Sequence, residues 1–491
     1  MKEQTKEVKP KKLNLASYGT VVGFLCMEVL AFISFYLGQS FLLYSILSVV
    51  LGILLLLVTF NQIKKEGIAS YAFLLFPLLV FGLLTALSDF NSKSLGAISL
   101  VDTIFVPITL VFISAAGFFS AYIKQFKIKT ALLVIYIALG LYVFINLVLT
   151  MIYYVPFYTL IYSNSYIFYD GKPSVVPIGD MAYMLFGFKI IEVSIEYWSL
   201  FPSLLLTSCI SLFFISPKKE TREFVIYAIL SFIGFLSLLF TISKFALLCD
   251  FILLSGIAVI VIAGKIKKSH QILNGMFIGF GALALIIFLV IFLVAQTRWS
   301  FLNGLRSLIS GNALLNRLFI GNRFANGMAG IFENLFSGEK IFGFRVEAFT
   351  GYDTYHLSNI WLVDILASSG IFGALFFLFA LVIGIRRMFK YYLNSKDDLS
   401  TKMLIFGYVL GYLVMSMLLL DVTPLINYNA TMFPFFIVAP FLICLFLISY
   451  CFNKSIIEKE PVKEIAKKEV VGEANEEVEV KEESSDEIIS L

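Results

Sequence analysis

Five arginines, Arg298, Arg306, Arg317, Arg323 and Arg345, fall within residues 297–359 beside a single lysine, Lys340, in a chain where lysine outnumbers arginine several-fold. A guanidinium is planar, permanently charged and able to hold a phosphate through two parallel hydrogen bonds, so this set suits a phosphate or pyrophosphate better than a generic anion. Ion pairs with Glu333, Glu339, Glu347 and Asp353 account for some of these arginines but not for the scarcity of lysine. His356 closes the segment and Asn359 follows three residues on, so a helix starting there carries both on one face. An imidazole titrates near neutral pH and suits a general base that takes a proton from a hydroxyl. A structural histidine is the competing reading. His270, in Lys267-Lys268-Ser269-His270, has no such company.

The elements that must position these residues are hydrophobic. Apolar residues make up 59% of the 491-residue chain and charged residues only 14%, which excludes an ordinary soluble domain. The mean hydropathy is +0.92. Apolar runs long enough to cross a hydrocarbon core of roughly 30 Å as helices begin near residues 18, 40, 68, 99, 130, 198, 224, 245, 271, 360, 403 and 434. The expectation is therefore an all-α polytopic membrane protein of about twelve spans. Lys64 and Lys65, Lys124 to Lys129, Lys218 to Arg222, Lys265 to Lys268 and Arg386 to Lys390 alternate with lysine-poor connections, which puts both termini in the cytoplasm and residues 297–359 outside. Trp198, Trp299 and Trp361 then sit at outer ends of spans, as interfacial aromatics do.

This divides the chain into a cytoplasmic N-terminal segment 1–17, a membrane domain 18–452 with outer loops 154–197 and 297–359, and a charged tail 453–491. Residues 1–14 are polar and the first apolar run has no small-residue cleavage site, so it reads as a retained anchor. The tail is a Glu/Lys/Val mixture without an aromatic residue after Phe452, and reads as disordered. Cys26, Cys209, Cys249, Cys444 and Cys451 lie in or beside apolar runs and read as small apolar filler rather than a disulfide or metal framework. No nucleotide-binding loop, zinc spacing or internal repeat is present, and no cofactor is expected.

Within the large outer loop, Phe324, Met328, Ile331, Phe332, Leu335 and Phe336 recur at helical spacing between about Asn322 and Ser337, while Arg323, Asn326, Glu333 and Asn334 fall largely on another face. Such a helix lies along a membrane surface and offers its polar side to a lipid headgroup. Gly338 and Gly343 let the chain turn back toward the next span. The smaller loop carries Tyr154, Tyr158, Tyr162, Tyr166 and Tyr169 with Asp170, Asp180, Glu192 and Glu196. Aromatic faces beside carboxylates suit sugar rings, and an interfacial tyrosine belt explains the same residues. Glu28, Asp102, Asp250 and Asp364 lie in or near spans, where ionisable residues are expensive and face polar surroundings.

A large outer loop before the tenth of twelve spans, ending in His356 and Asn359 and followed by Gly370-Ile-Phe-Gly373, resembles the O-antigen polymerase and O-antigen ligase superfamily. Thr241-Ile-Ser243-Lys244 is similar to that family's Thr-x-Ser-Arg with lysine in the last position, and Gly321-Asn-Arg323 with Phe342-Gly343-Phe344 is similar to its Gly-x-Arg and Gly-x-Gly stretch. Two residues separate His356 from Asn359, where the family has the pair adjacent. The resemblance implies a metal-independent glycosyltransferase that joins lipid-pyrophosphate-linked repeat units into a surface polysaccharide on the outer face of the cytoplasmic membrane. His356 and Asn359 are its expected catalytic pair, and Arg323, Arg317, Arg345, Arg306 and Lys244 its expected pyrophosphate ligands. The implied partners are a polyprenyl-pyrophosphate-linked oligosaccharide, membrane lipid, a flippase and a chain-length regulator, with no nucleic acid. A ligase that delivers a finished glycan to another acceptor and a lipid-linked oligosaccharide transporter are the alternatives.

Overall fold

The computed structural model describes residues 41–60, 63, 65–90, 97–123, 128–153, 167–169, 172–174, 195–215, 220–241, 244–264, 361–418 and 435–458, with 271, 275, 279, 303, 304 and 307 as single helical positions. Eleven helices are described: α1 (Phe41–Thr59), α2 (Lys65–Phe90), α3 (Ala97–Ser120), α4 (Ile128–Tyr153), α5 (Ile195–Leu206), α6 (Cys209–Leu212), α7 (Thr221–Thr241), α8 (Lys244–Gly264), α9 (Trp361–Asn394), α10 (Leu399–Leu418) and α11 (Phe435–Ile457). Within them, Gly67–Ala86, Ile128–Ile145, Thr221–Leu239, Ser369–Asn394 and Pro440–Ile457 are long and apolar enough to cross a membrane. Shorter apolar stretches occupy α1, α3, α5 with α6, α8 and α10. Helices are the natural outcome, because a chain in hydrocarbon must satisfy every backbone N–H and C=O from within.

The described residues are overwhelmingly helical; beside the helices they include one short hairpin, in which β1 (Ile167–Tyr169) pairs antiparallel with β2 (Lys172–Ser174). Its register sets Tyr169 opposite Lys172, so only Asp170 and Gly171 join the strands. Asp-Gly in the sequence is a favoured two-residue hairpin connection.

The helices pack as two groups. In the first, α3 lies against α1, α2 and α11, while α9 lies against α2 and α11. In the second, α7 lies against α4, α5 and α6, while α8 and α10 pack together and onto α5. Helix α10 also contacts α9 and α11, and so joins the groups.

The first group is held by close backbone approach and stacked rings. A Cβ on Gly117 of α3 would run into the Phe446 carbonyl of α11, so only glycine permits this crossing. Beside it, Tyr71 Oη, Ser114 Oγ and Ser449 Oγ form a buried chain with links of 2.8 Å each, tying α2, α3 and α11. Tyr71 stacks on Phe118 at 4.0 Å between centroids. The second group is bridged by hydroxyls. Tyr136 of α4 meets Thr207 Oγ1 at 2.9 Å and donates to the Leu404 carbonyl of α10 at 3.3 Å, and Ser208 meets Ser231 of α7 at 2.9 Å.

Polar ends collect on one face. Lys129, at the start of α4, pairs with Glu223 (2.6 Å) and Glu220 (3.5 Å) by the start of α7 and with Asp398 (3.5 Å) before α10. Asn453 Nδ2 donates to the Phe118 carbonyl at 2.7 Å, bringing the end of α11 to the end of α3, and the Lys396 amide donates to Glu458 Oε2 at 3.0 Å. The α9–α10 turn is fastened from both sides: Lys402 Nζ donates to the Tyr392 and Ser395 carbonyls (3.0 and 2.6 Å), and Asp398 accepts from the Thr401 amide and hydroxyl (3.3 and 2.6 Å).

Candidate functional site

The ionic face fixes the direction of every helix that starts or ends there. Helix α7 leaves it near Thr221 and rises about 30 Å over its 21 residues, so Thr241 and the first residue of α8, Lys244, lie at the opposite face. Helix α9 reaches the ionic face at its C-terminal end, so the far end of its long inner part, at Ile371, lies toward the opposite face, and the segment from Trp361 leads into it. The ends of the Thr241–Lys244 motif and the helix that follows His356 and Asn359 therefore share one side of the bundle. They belong to different packing groups: α8 to the second, α9 to the first, with α10 in contact with both.

Helix α9 is not continuous. Gly370 has φ 70° and ψ −178°, a conformation almost closed to any residue with a Cβ, and it divides an outer segment, Trp361–Ser369, from the long inner part. Ser369 Oγ donates to the Ile365 carbonyl at 2.7 Å in the last turn of the outer segment, and a Cβ on Gly373 would collide with the Ser369 side chain. Both glycines of Gly370-Ile-Phe-Gly373 are thus accounted for by geometry: the first supplies the dihedral angles, the second the clearance. Asp364 lies in the outer segment, on backbone that is helical.

His356, Asn359, Arg306, Arg317, Arg323 and Arg345 lie outside the described residues, as do Arg298, the amphipathic stretch 322–337 and Glu28. For Lys244 and Asp102 the backbone alone is described, each in a helix. Asp250 is described fully. It sits on α8, 3% exposed, and accepts a hydrogen bond from Ser203 Oγ of α5 at 2.8 Å. Among the described residues no group of three or more His, Cys, Asp or Glu side chains is arranged to hold a metal. A crevice between α2, α9, α10 and α11, lined by Leu78, Phe377, Leu413 and Phe441 among others, offers no polar group to a glycan.

The span expected from residue 198 is interrupted, which hydropathy did not foretell. α5 ends at Leu206, and the chain passes Thr207 and Ser208 before the single turn of α6. Backbone bonds here tighten to i→i+3, from the amides of Ser208, Ile210, Ser211, Phe213 and Phe214 to the carbonyls of Leu205, Thr207, Ser208, Ile210 and Ser211. Hydroxyls saturate the same stretch: Thr207, Ser208 and Ser211 donate to the carbonyls three residues back at 2.6, 2.7 and 2.7 Å. Pro202 and the run of Ser and Thr from Ser203 to Ser211 were the available signals.

Comparison with protein-family models, with curated proteins and with solved structures finds no match for this chain.

Proposed function

We propose that this membrane protein is a glycosyltransferase that polymerises lipid-pyrophosphate-linked oligosaccharide repeat units into a cell-surface polysaccharide on the outer face of the cytoplasmic membrane. The observation that carries the reading is the polarity of the bundle. Its ionic ends gather on one face, and Lys244 and the start of α9, which flank residues 245–360 and their five arginines, open on the other. The alternation of lysine in the sequence assigns these arginines to the side away from the lysines, and cations retained there call for an anionic ligand.

In this mechanism Arg323, Arg317, Arg345, Arg306 and Lys244 hold the donor pyrophosphate and stabilise the charge that grows on it as the anomeric carbon–oxygen bond breaks. His356, positioned with Asn359, accepts the proton of the attacking acceptor hydroxyl. The new glycosidic bond forms at the anomeric carbon with inversion, the lipid pyrophosphate departs with the bonding pair, and the proton stays on the imidazole until it passes to solvent.

Purified protein in nanodiscs should lengthen a defined lipid-linked repeat unit without ATP, nucleotide sugar or ion gradient, and EDTA should leave the rate intact. Arg323→Lys should weaken donor binding and polymer formation together, because the ammonium keeps the charge and loses the bidentate geometry. His356→Ala should lower turnover at nearly unchanged donor affinity. Wild-type polymer formation by His356→Ala removes the general base, and failure of the wild type to extend any donor removes the polymerase reading. A lipid-linked oligosaccharide transporter is the second reading, favoured by the acid buried in α8. Vectorial movement of unchanged donor is its signature.

A further inference from the structure

Asp250 plays no part in the chemistry proposed for the outer face, yet a carboxylate within an apolar helix bundle is costly and demands a counter-charge. Its direct partner among the described residues is the neutral hydroxyl of Ser203. Among the described residues, the helices packed most closely on α8 are α5 and α10. α5 contains no Lys, Arg or His, and α10 contains one cation, Lys402, whose ammonium is bonded to the Tyr392 and Ser395 carbonyls at the ionic face. On α8 itself Lys244 precedes Asp250 by six residues, a spacing that puts the two on different faces of the helix. Among the described residues, Cys209, which opens α6, also interacts with Asp250.

A second observation stands beside this one. The carboxylate hydrogen-bonds to the helix that breaks one turn later, between Leu206 and Cys209. Around the break, the Thr207, Ser208 and Ser211 hydroxyls donate to backbone carbonyls, and those of Thr207 and Ser208 also meet the Tyr136 and Ser231 hydroxyls. All four hydroxyl residues from Ser203 to Ser211 are at most 1% exposed. A buried carboxylate on a membrane helix, hydrogen-bonded to a neutral hydroxyl and without a paired cation among the described residues, is a group that a proton or a small monovalent cation neutralises.

We propose that Asp250 and Ser203, at the break between α5 and α6, form a monovalent-cation site inside the bundle that takes a proton or a sodium ion. Occupancy neutralises Asp250 and holds α8 to α5, about 9 Å along α8 from Lys244.

The test uses the wild-type protein in proteoliposomes and the hydrophobic reagent dicyclohexylcarbodiimide, which adds to protonated carboxyls in apolar surroundings. Adducts are mapped by peptide mass spectrometry, with sodium chloride compared against choline chloride, and with a carbodiimide-sensitive membrane protein in the same vesicles as a positive control. An N-acylurea on Asp250 that sodium does not affect identifies a proton site. An adduct suppressed by sodium and not by choline identifies a sodium site. Asp250→Asn should lose the adduct. Ser203→Ala, which retains the carboxyl, should shift the pH or sodium dependence of labelling. No adduct on Asp250 while the control is labelled, or a Ser203→Ala profile that superimposes on wild type, overturns the proposal. The readout is independent of polymer formation, so it stands or falls apart from the function proposed above.

Discussion

The two packing groups are built from the same apolar alphabet and solve different problems. Helices α1, α2, α3, α9 and α11 approach closely enough for backbone to meet backbone, as at Gly117 and the Phe446 carbonyl, and fill the remaining space with stacked aromatics. Helices α4, α5, α6, α7, α8 and α10 also meet backbone to backbone, at Gly234 against Pro202 and Leu206, and are bridged by side-chain oxygens as α2, α3 and α11 are; what sets them apart is the interruption between α5 and α6 and the buried carboxylate. The difference between the groups therefore lies in the interrupted helix and the buried Asp250 of the second, not in how tightly either is packed. The outer site proposed here draws on both, since Lys244 belongs to the second group and the helix after His356 to the first.

The largest effect expected from this contrast is at Gly117. Gly117→Leu should abolish folding, and Gly117→Ala should cost ~1–3 kcal/mol, because the methyl group meets a backbone carbonyl that cannot move aside. In the second group, a Cβ on Gly256 of α8 meets no described atom within 4 Å, so Gly256→Ala should be neutral, or stabilising by up to about 1 kcal/mol. Thermal melting with size-exclusion chromatography reads both. Equal losses at the two positions would erase the distinction.

Next comes Gly370→Ala, which should cost roughly 1–3 kcal/mol if the backbone keeps its angles. Straightening of α9 would instead preserve stability and misdirect the outer segment. Polymer formation should then fall while melting stays near wild type, a divergence absent from Gly117→Ala.

Lys129→Met should follow. It leaves Glu220, Glu223 and Asp398 facing one another without their shared cation, and partly exposed ion pairs of this kind are each worth up to about 1 kcal/mol. The loss should shrink in high salt, because screening weakens the repulsion among the remaining carboxylates. A salt-independent loss would point to packing of the lysine stem. The smallest change is Tyr136→Phe, expected near ~0.6 kcal/mol and no more than about 1.7, since an interhelical hydroxyl bond in a membrane contributes little net stability. A larger penalty would show that this hydroxyl bridge contributes more than such bonds ordinarily do.

Hydropathy alone identified the helical membrane class and anticipated where ten of the described helical segments begin, including α5 near residue 198 and α9 near residue 360. It works because a span is long and its backbone has one way to satisfy itself. The lysine pattern likewise foresaw that the connections before α4, before α7 and after α9 share a face, where Lys129, Glu223 and Asp398 now meet. Local breaks were less visible. Thr207 and Ser208 disrupt hydrogen bonding within a single turn, and a window the length of a span averages them away. Gly370 stood out as part of a motif, but a motif gives no dihedral angle, and its left-handed φ emerged only with the backbone. His356, Asn359 and the arginines from Arg306 to Arg345 lie outside the described residues, so their chemistry still rests on residue type, spacing and the side of the bundle that flanks them.

The turn between α9 and α10 has a consequence for how the protein is made. Lys402 caps the closing carbonyls of one helix, and Asp398 caps the opening amides of the next, all within eleven residues of Tyr392. These bonds need no distant partner, so they are available as soon as the ribosome has delivered the second helix. Held by bonds of short sequence separation, the α9–α10 pair closes at a smaller entropic cost than its contacts with earlier helices. Because α10 touches helices of both groups, this locally fastened hairpin is what couples one to the other.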